Sequence, residues 1–334
     1  MTSSEKARKV RLSDRIVYYI ARAAIGTAAR VPQWLGYRVA AALGRLWFRC
    51  DGRRRRFALK FLANAYPDLS EREQLRLGAS ATAHLFMVPL DMARLTRLLA
   101  RGRRISEFVE SEKTRQVFLD LPKPYLGLTP HLGSWEVGAV MIAELMGGAH
   151  GIARISKNPL LNDWILSNRQ QGGLCVHPRR GGLRGMARGM EEGQVGLQVI
   201  DQNQRLRGVF APFFGKIASC ERSAMSLALR KGYPVVIGAA LRRGYRFEFE
   251  LVVGEAFRPE VTGDKQADLL AAVTRANQGL EKLIRMAPEQ YLWIHDRYRT
   301  QPPEDDVATE GNVAQQGNGA QHATGEEDAL DGEE

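Results

Sequence analysis

The chain has 334 residues, 44% of them apolar, which supports a sizeable core and excludes a wholly disordered protein. Its charge is unevenly placed, because 48 Lys and Arg face 37 Asp and Glu, and ten of those acids lie after Arg299, where no base follows. The body before that tail therefore carries 48 bases against 27 acids, a net +21, and should seek polyanions such as anionic lipid, phosphorylated substrate or nucleic acid.

From residue 6 to about 119 the pattern is helical, punctuated by Pro32, by Asp51-Gly52 and by Tyr66-Pro67-Asp68. Arg15, Arg22, Arg30, Arg38 and Arg45 interrupt the most hydrophobic stretch, so no run approaches the roughly 18 uncharged apolar residues of a membrane span. On a helix, Arg8, Arg11, Arg15 and Arg22 share one face, with Val10, Val17, Ile20 and Ala24 roughly opposite. That pattern fits a helix lying in a lipid interface, and equally an amphipathic helix packed on the body. No cleavable secretory signal is expected, because the apolar run is short and charged. Ser70 with Glu73 forms a capping box for a helix starting near 70. The Arg53–Arg56 run reads either as a phospholipid or nucleic-acid contact or as a solvated helix start.

Beyond residue 120, short apolar runs alternate with helical stretches, which predicts an α/β fold: a mixed, mostly parallel sheet flanked by helices. Strands are expected near 124–129, 151–155, 174–177, 195–200, 234–241 and 245–253, and helices near 135–147, 158–171, 181–192, 221–231 and 265–286. The last two strands, joined through Arg242-Arg243-Gly244, should form an antiparallel hairpin. Three regions result: a membrane-associating helical part at 1–119, an α/β domain at 120–302 packed with those helices, and a disordered acidic tail at 303–334.

The segment from Tyr125 to Glu136 runs from an apolar strand through a turn into a helix whose expected N-cap is Ser134. Open α/β sheets place ligands at such strand ends. His131 and Glu136 are five apart and would not meet within one helix, so they can pair only if the Gly133-Ser134 turn folds His131 back. Glu136 could then fix the imidazole tautomer and leave the other nitrogen to take a proton from a hydroxyl. An ordinary cap with a surface pair would give the same spacing.

With these residues in view, the chain resembles the late lauroyl/myristoyl acyltransferases of lipid A biosynthesis, within the glycerolipid and lysophospholipid acyltransferase superfamily. That superfamily carries a His, four residues, then Asp or Glu, as in His131 through Glu136 with Trp135 before the acid. Further likeness lies in Arg154 through Leu160, in Asp201-Gln202, in Val209 through Gly215 and in Met286 through His295, the last followed by Arg297, Arg299 and Pro302. It covers roughly residues 15–302 and excludes the tail.

The resemblance implies an O-acyltransferase that moves a fatty acyl chain from an acyl carrier protein or coenzyme A thioester to a hydroxyl of a bacterial glycolipid, a lipid A precursor above all. His131 would be the general base and Glu136 its partner. Arg154, Asn158, Arg180, Asp201 and Gln202 would contact substrate, and Phe210, Phe213 and Phe214 would wall the acyl groove, with at least one of them packed in the core instead. The enzyme would work at the cytoplasmic face of the inner membrane, peripherally or through its N-terminus. A thioester is already activated, so neither a cofactor nor a metal is expected. This sequence departs from its relatives at Ser219-Cys220-Glu221-Arg222 and at Asp296, and its N-terminus is more heavily charged.

Other readings fit less well. A serine hydrolase lacks its elbow, since Leu132 rather than Gly precedes Ser134 by two. Nucleotide-binding loops are missing, and Gly181-Gly182-Leu183-Arg184-Gly185 reads as a helix start. Cys50, Cys175 and Cys220 fall in no C-x-x-C pair, which argues against a disulfide framework or a zinc knuckle. An acyltransferase for another glycolipid or a lysophospholipid remains an alternative, as does a basic membrane- or RNA-binding protein. Nucleic acid is not the expected partner, because the arginines are scattered through helices without an aromatic RNP-like strand.

Overall fold

The computed structural model describes residues 10–109, 112–153 and 156–303. Four helices come first: α1 (Leu12–Ala28), α2 (Gln33–Cys50), α3 (Gly52–Ala65) and α4 (Glu71–Leu99). The Ser70 hydroxyl accepts from the Glu73 N–H and the Glu73 carboxylate accepts from the Ser70 N–H, so α4 begins at the expected capping box. Asp51 ends α2 and caps α3, its carboxylate accepting from the Arg54 N–H at 2.9 Å.

After a short helix α5 (Glu112–Leu119), strands and helices alternate as β1 (Leu126–Thr129), α6 (Trp135–Met146), β2 (Ala149–Ala153), α7 (Pro159–Gln171), β3 (Leu174–Pro178), α8 (Gly182–Glu191) and β4 (Val195–Val199). A hairpin follows, β5 (Val209–Phe213) with β6 (Lys216–Cys220), and then α9 (Ser223–Lys231), β7 (Val235–Arg242), β8 (Phe249–Phe257) and α10 (Lys265–Met286). The main sheet runs in the order β3-β2-β4-β1-β7-β8, parallel except for β8, which pairs antiparallel with β7 at one edge. The fold is therefore the expected mixed, mostly parallel sheet flanked by helices.

Two details differ from the sequence expectation. The last strand lies at 249–257 rather than 245–253, because the Arg243 N–H bonds the Glu248 carbonyl and closes a longer turn. The β5–β6 hairpin lies outside the strands expected from the sequence. Its Phe213 and Phe214 are buried with Phe61, Trp293 and Tyr298 in a cluster of tilted and edge-on rings, so these two take the core role rather than walling an acyl groove.

The helical region and the sheet share their core. Phe48, Phe61 and Leu62 pack in one cluster with Leu128, Ile237 and Leu280, while Tyr37 and Met87 join Val137, Met141 and Val236 in another. Across this junction the guanidinium of Arg242 on β7 meets Asp91 on α4, both side chains fully buried, and the Tyr37 hydroxyl donates to Asp91 at 2.7 Å. Leu12, Ile16, Val17 and Ile20 on α1, with Trp34 and Leu43 on α2, remain exposed.

Candidate active site

Strand β1 ends at Thr129, and the chain turns through Pro130, His131, Leu132 and Gly133 into α6. Gly133 is indispensable to that turn: its φ is +61°, and a Cβ there would lie 2.1 Å from the Ala240 carbonyl oxygen. The turn is clamped from outside by the chain after α10. The Gly133 N–H donates to the Gln290 carbonyl at 3.2 Å, and the Leu292 N–H donates to the His131 carbonyl at 3.2 Å. Gln290 is itself fixed, because its side chain accepts from the Arg242 N–H and donates to the Arg242 carbonyl. The run Met286–His295 thus serves as the frame that holds His131 at the sheet end.

The carboxylate on the imidazole is Asp201, not Glu136. Asp201 follows β4, the neighbour of β1, and is 2% exposed. Its Oδ1 lies 2.6 Å from His131 Nδ1, and its Oδ2 accepts from the His131 N–H at 2.9 Å. Tyr291 is buried, and the Asp201 charge adds to that burial in raising its hydroxyl above the usual 10. An ionised carboxylate can only accept, so Nδ1 carries a proton, and in the neutral ring Nε2 presents its lone pair. The amide Nε2 of Gln202 lies 3.3 Å from that lone pair, and the Trp135 ring stands edge-on to the imidazole with centroids 4.8 Å apart.

Burial opposes charge on His131, but the Asp201 charge and hydrogen bond, helped by the Glu136 charge, outweigh it and raise the imidazole above its usual 6.5. Burial likewise pushes Asp201 upward, yet the His131 charge, its two hydrogen bonds and the charge of Arg297 hold the carboxyl below its usual 3.8. Neighbouring His295 goes the other way. Burial, with the charges of Arg297 and His131, lowers it below 6.5, and its Nε2 accepts from the Asn203 N–H at 3.0 Å.

Glu136 occupies the first turn of α6, as expected, but its carboxylate faces Arg169 of α7. Arg169 Nη2 lies 2.8 and 2.7 Å from its two oxygens. The five-residue spacing fails as a direct pair because His131 precedes the helix and is drawn toward β4 by two bonds to Asp201. Ser134 does cap α6 by position, yet its hydroxyl is fully buried and makes no capping bond. Neither Gly133 nor Ser134 has a spare N–H, since the Ser134 N–H donates to the Ala240 carbonyl at 3.0 Å.

Of the other expected substrate contacts, Arg154 lies outside the described residues. Asn158 caps α7 by accepting from the Leu161 N–H and donates from Nδ2 to the Asp14 carbonyl at 2.9 Å, tying α7 to α1. Arg180 is exposed in the turn between the edge strand β3 and α8, with β2 and β4 lying between β3 and β1, the strand that leads to His131. The structure thus brings His131, Asp201 and Gln202 together and adds Trp135, Tyr291 and His295. Arg169 joins through Glu136. A lone Arg within a helix gives no sequence signal, whereas Tyr291 and His295 lie in the Met286–His295 stretch that carries part of the family likeness.

Beside this cluster a cavity opens between α6 and the sheet, with an empty volume of about 840 Å³ including open solvent at its mouth. Trp135, Glu136, Arg169 and Thr129 stand on its wall near the site, and Ile142, Ile152, Leu174 and Leu197 make the remainder strongly apolar. Gly127, Gly138, Gly151 and Gly238 keep its walls low.

A family model described as bacterial lipid A biosynthesis acyltransferase matches residues 4–300. The chain belongs to that family. Among its relatives is a lipid A biosynthesis lauroyltransferase of Escherichia coli (strain K12), 26% identical over 312 residues that span 90% of this chain and 98% of the relative. A lipid A biosynthesis palmitoleoyltransferase of the same organism is 28% identical over 147 residues, covering 43% of this chain and 46% of that protein. The crystal structure of the 1-acyl-sn-glycerophosphate acyltransferase PlsC from Thermotoga maritima aligns over 75% of this chain and 98% of its own, with TM-score 0.31 and 12% identity. As a member of the lipid A biosynthesis acyltransferase family, the protein is an acyltransferase with an acyl donor and a glycolipid acceptor.

Proposed function

We propose that this acyltransferase moves a fatty acyl chain from an acyl carrier protein or coenzyme A thioester to a hydroxyl of a lipid A precursor, with His131 as general base. The observation that carries the reading is the His131–Asp201 pair, which holds the proton on Nδ1 and in the neutral ring leaves Nε2 as the base beside the mouth of an apolar cavity. The acyl chain lies in the cavity, with its thioester carbonyl at the edge where Trp135 meets His131. Nε2 takes the acceptor hydroxyl proton, the oxygen attacks the carbonyl, and a tetrahedral oxyanion forms. On its collapse the C–S bond breaks, the imidazolium gives the proton to the leaving thiolate, and an ester and a thiol result.

Asp201 positions the imidazole and stabilises its charged form. The Gln202 amide, 3.3 Å from Nε2, supplies a side-chain donor for the developing oxyanion. Glu136 holds Arg169 at the cavity mouth, where the guanidinium can meet a phosphate of donor or acceptor. No described helix is long and apolar enough to cross a membrane. The exposed apolar residues of α1 and α2, next to Arg11, Arg15, Arg22 and Arg38, form the face that rests on an anionic membrane at the cytoplasmic side of the inner membrane.

The test is turnover of an acyl thioester and a lipid A precursor by purified His131→Ala protein in detergent or vesicles. A loss of roughly 10²–10⁴-fold is expected from removing a general base. Near-normal turnover with an intact fold would refute the role. Mass spectrometry of lipids from cells with and without the protein should show a difference of one acyl group on a lipid A species.

A further inference from the structure

A second cluster of reactive side chains lies on the other face of the sheet, where β2 meets the edge strand β3. His150 and Cys175 are paired in register, and His177 follows two residues along β3. His150 Nδ1 and His177 Nε2 are 2.8 Å apart, and Cys175 Sγ lies 3.8 Å from the same His177 nitrogen. The two rings lie within 12° of one plane with centroids 5.1 Å apart, so the facing nitrogens point at each other rather than stacking. All three donor atoms fall within 4.8 Å of one another, and each residue is half-buried.

We infer that His150, Cys175 and His177 form a binding site for a borderline-soft divalent transition ion, zinc foremost, distinct from the His131 centre.

Two imidazole nitrogens with a thiolate are a donor set that suits zinc and disfavours magnesium or calcium. Zn–N bonds near 2.0–2.1 Å at a tetrahedral angle put two ligand nitrogens about 3.3 Å apart, so the nitrogens need to part by roughly half an ångström and the rings to tilt until their lone pairs converge on the ion. On binding, the Cys175 thiol proton leaves to solvent and the proton between the two imidazoles moves off the facing nitrogens. A water molecule completes four-coordination.

Two observations show that the cluster is positioned rather than incidental. The far nitrogen of His150, Nε2, lies 2.5 Å from Gln194 Oε1, an acceptor that keeps the proton there and aims the Nδ1 lone pair at the site. Helix α8 also crosses the imidazoles on glycines: a Cβ at Gly189 would lie 2.1 Å from His150 Nε2, and one at Gly185 would lie 2.4 Å from His177 Nδ1. Any other residue at either position would push the rings out of place.

The ion would pin the edge strand to its neighbour directly behind the cavity, because Gly151, Leu174 and Val176, which alternate with the three ligands, line that cavity on the opposite face. The site therefore stiffens the wall of the pocket without touching its chemistry.

The experiment uses full-length protein freed of any histidine tag and stripped with a chelator, titrated with Co²⁺ and then with Zn²⁺. One equivalent of Co²⁺ should give a thiolate-to-cobalt charge-transfer band, and one equivalent of Zn²⁺ should abolish it. Cys175→Ser should lose the band, His177→Asn should bind far more weakly, and Gln194→Ala should lose roughly 10–100-fold in affinity. Circular dichroism of each variant separates lost binding from lost folding. A wild-type cobalt complex without the band overturns the inference whatever the variants do. So does a band that survives Cys175→Ser, or binding that is unchanged in His177→Asn.

Discussion

His131 and Asp201, seventy residues apart in the chain, are joined twice: the carboxylate takes the imidazole Nδ1 on one oxygen at 2.6 Å and the His131 main-chain N–H on the other at 2.9 Å. One buried group thereby fixes the ring, its tautomer and the turn that carries it.

Asp201→Asn should lower kcat by about 10²–10⁴-fold, because an amide no longer enforces the tautomer or stabilises the imidazolium. The acid limb of the pH profile in wild-type enzyme should fall above 6.5, since His131 is raised and only its neutral form is a base. In Asp201→Asn that limb should move to lower pH. Stability follows the opposite signs: the His131 contribution is complete below pH 6.5 and lost as pH rises through the raised value, whereas that of Asp201 is complete above pH 3.8 and lost as pH falls through the depressed value. Stopped-assay rates across pH for both proteins check the first pair of statements.

Glu136→Gln should cost less activity than Asp201→Asn. Glu136 acts on the imidazole only through its charge, and its direct partner is Arg169. Turnover of the two variants measured side by side decides between them, and equal losses would contradict the assignment of Asp201 as the orienting carboxylate.

Gly151→Val should shorten the preferred acyl chain. Gly151 lines the cavity, and a Cβ there meets nothing nearer than the Leu197 carbonyl at 3.6 Å, so the new side chain fits the backbone and fills the pocket. Rates with donors of graded length should fall most for the longest chain.

Asp91→Ala should destabilise the protein by about 3–5 kcal/mol, because it leaves the fully buried Arg242 without its counter-charge. Urea denaturation gives the difference, and a second change, Arg242→Met, should recover part of it.

Much of the α/β order was legible in the sequence because hydrophobic period and turn residues are local. The strand near 126–129, the helix capped by Ser70 and the hairpin of β7 with β8 all follow from neighbours a few residues apart. The β5–β6 hairpin was not, since its aromatic residues face partners on α3 and after α10 and show no clean alternation.

The candidate site divides along the same line. The sequence by itself determined that His131 sits at a strand end, that Glu136 begins the next helix, and that Asp201 and Gln202 close another strand, because each of these depends on local pattern. Only the tertiary structure decided which carboxylate meets the imidazole. The parallel pairing of β1 with β4 sets Thr129 beside Val199, so the residues that follow, His131 and Asp201, converge at the carboxyl ends of these two central strands. Glu136 is instead turned by α6 toward α7. The same register logic brings His150 to Cys175 and His177, a meeting that no spacing along the chain could announce.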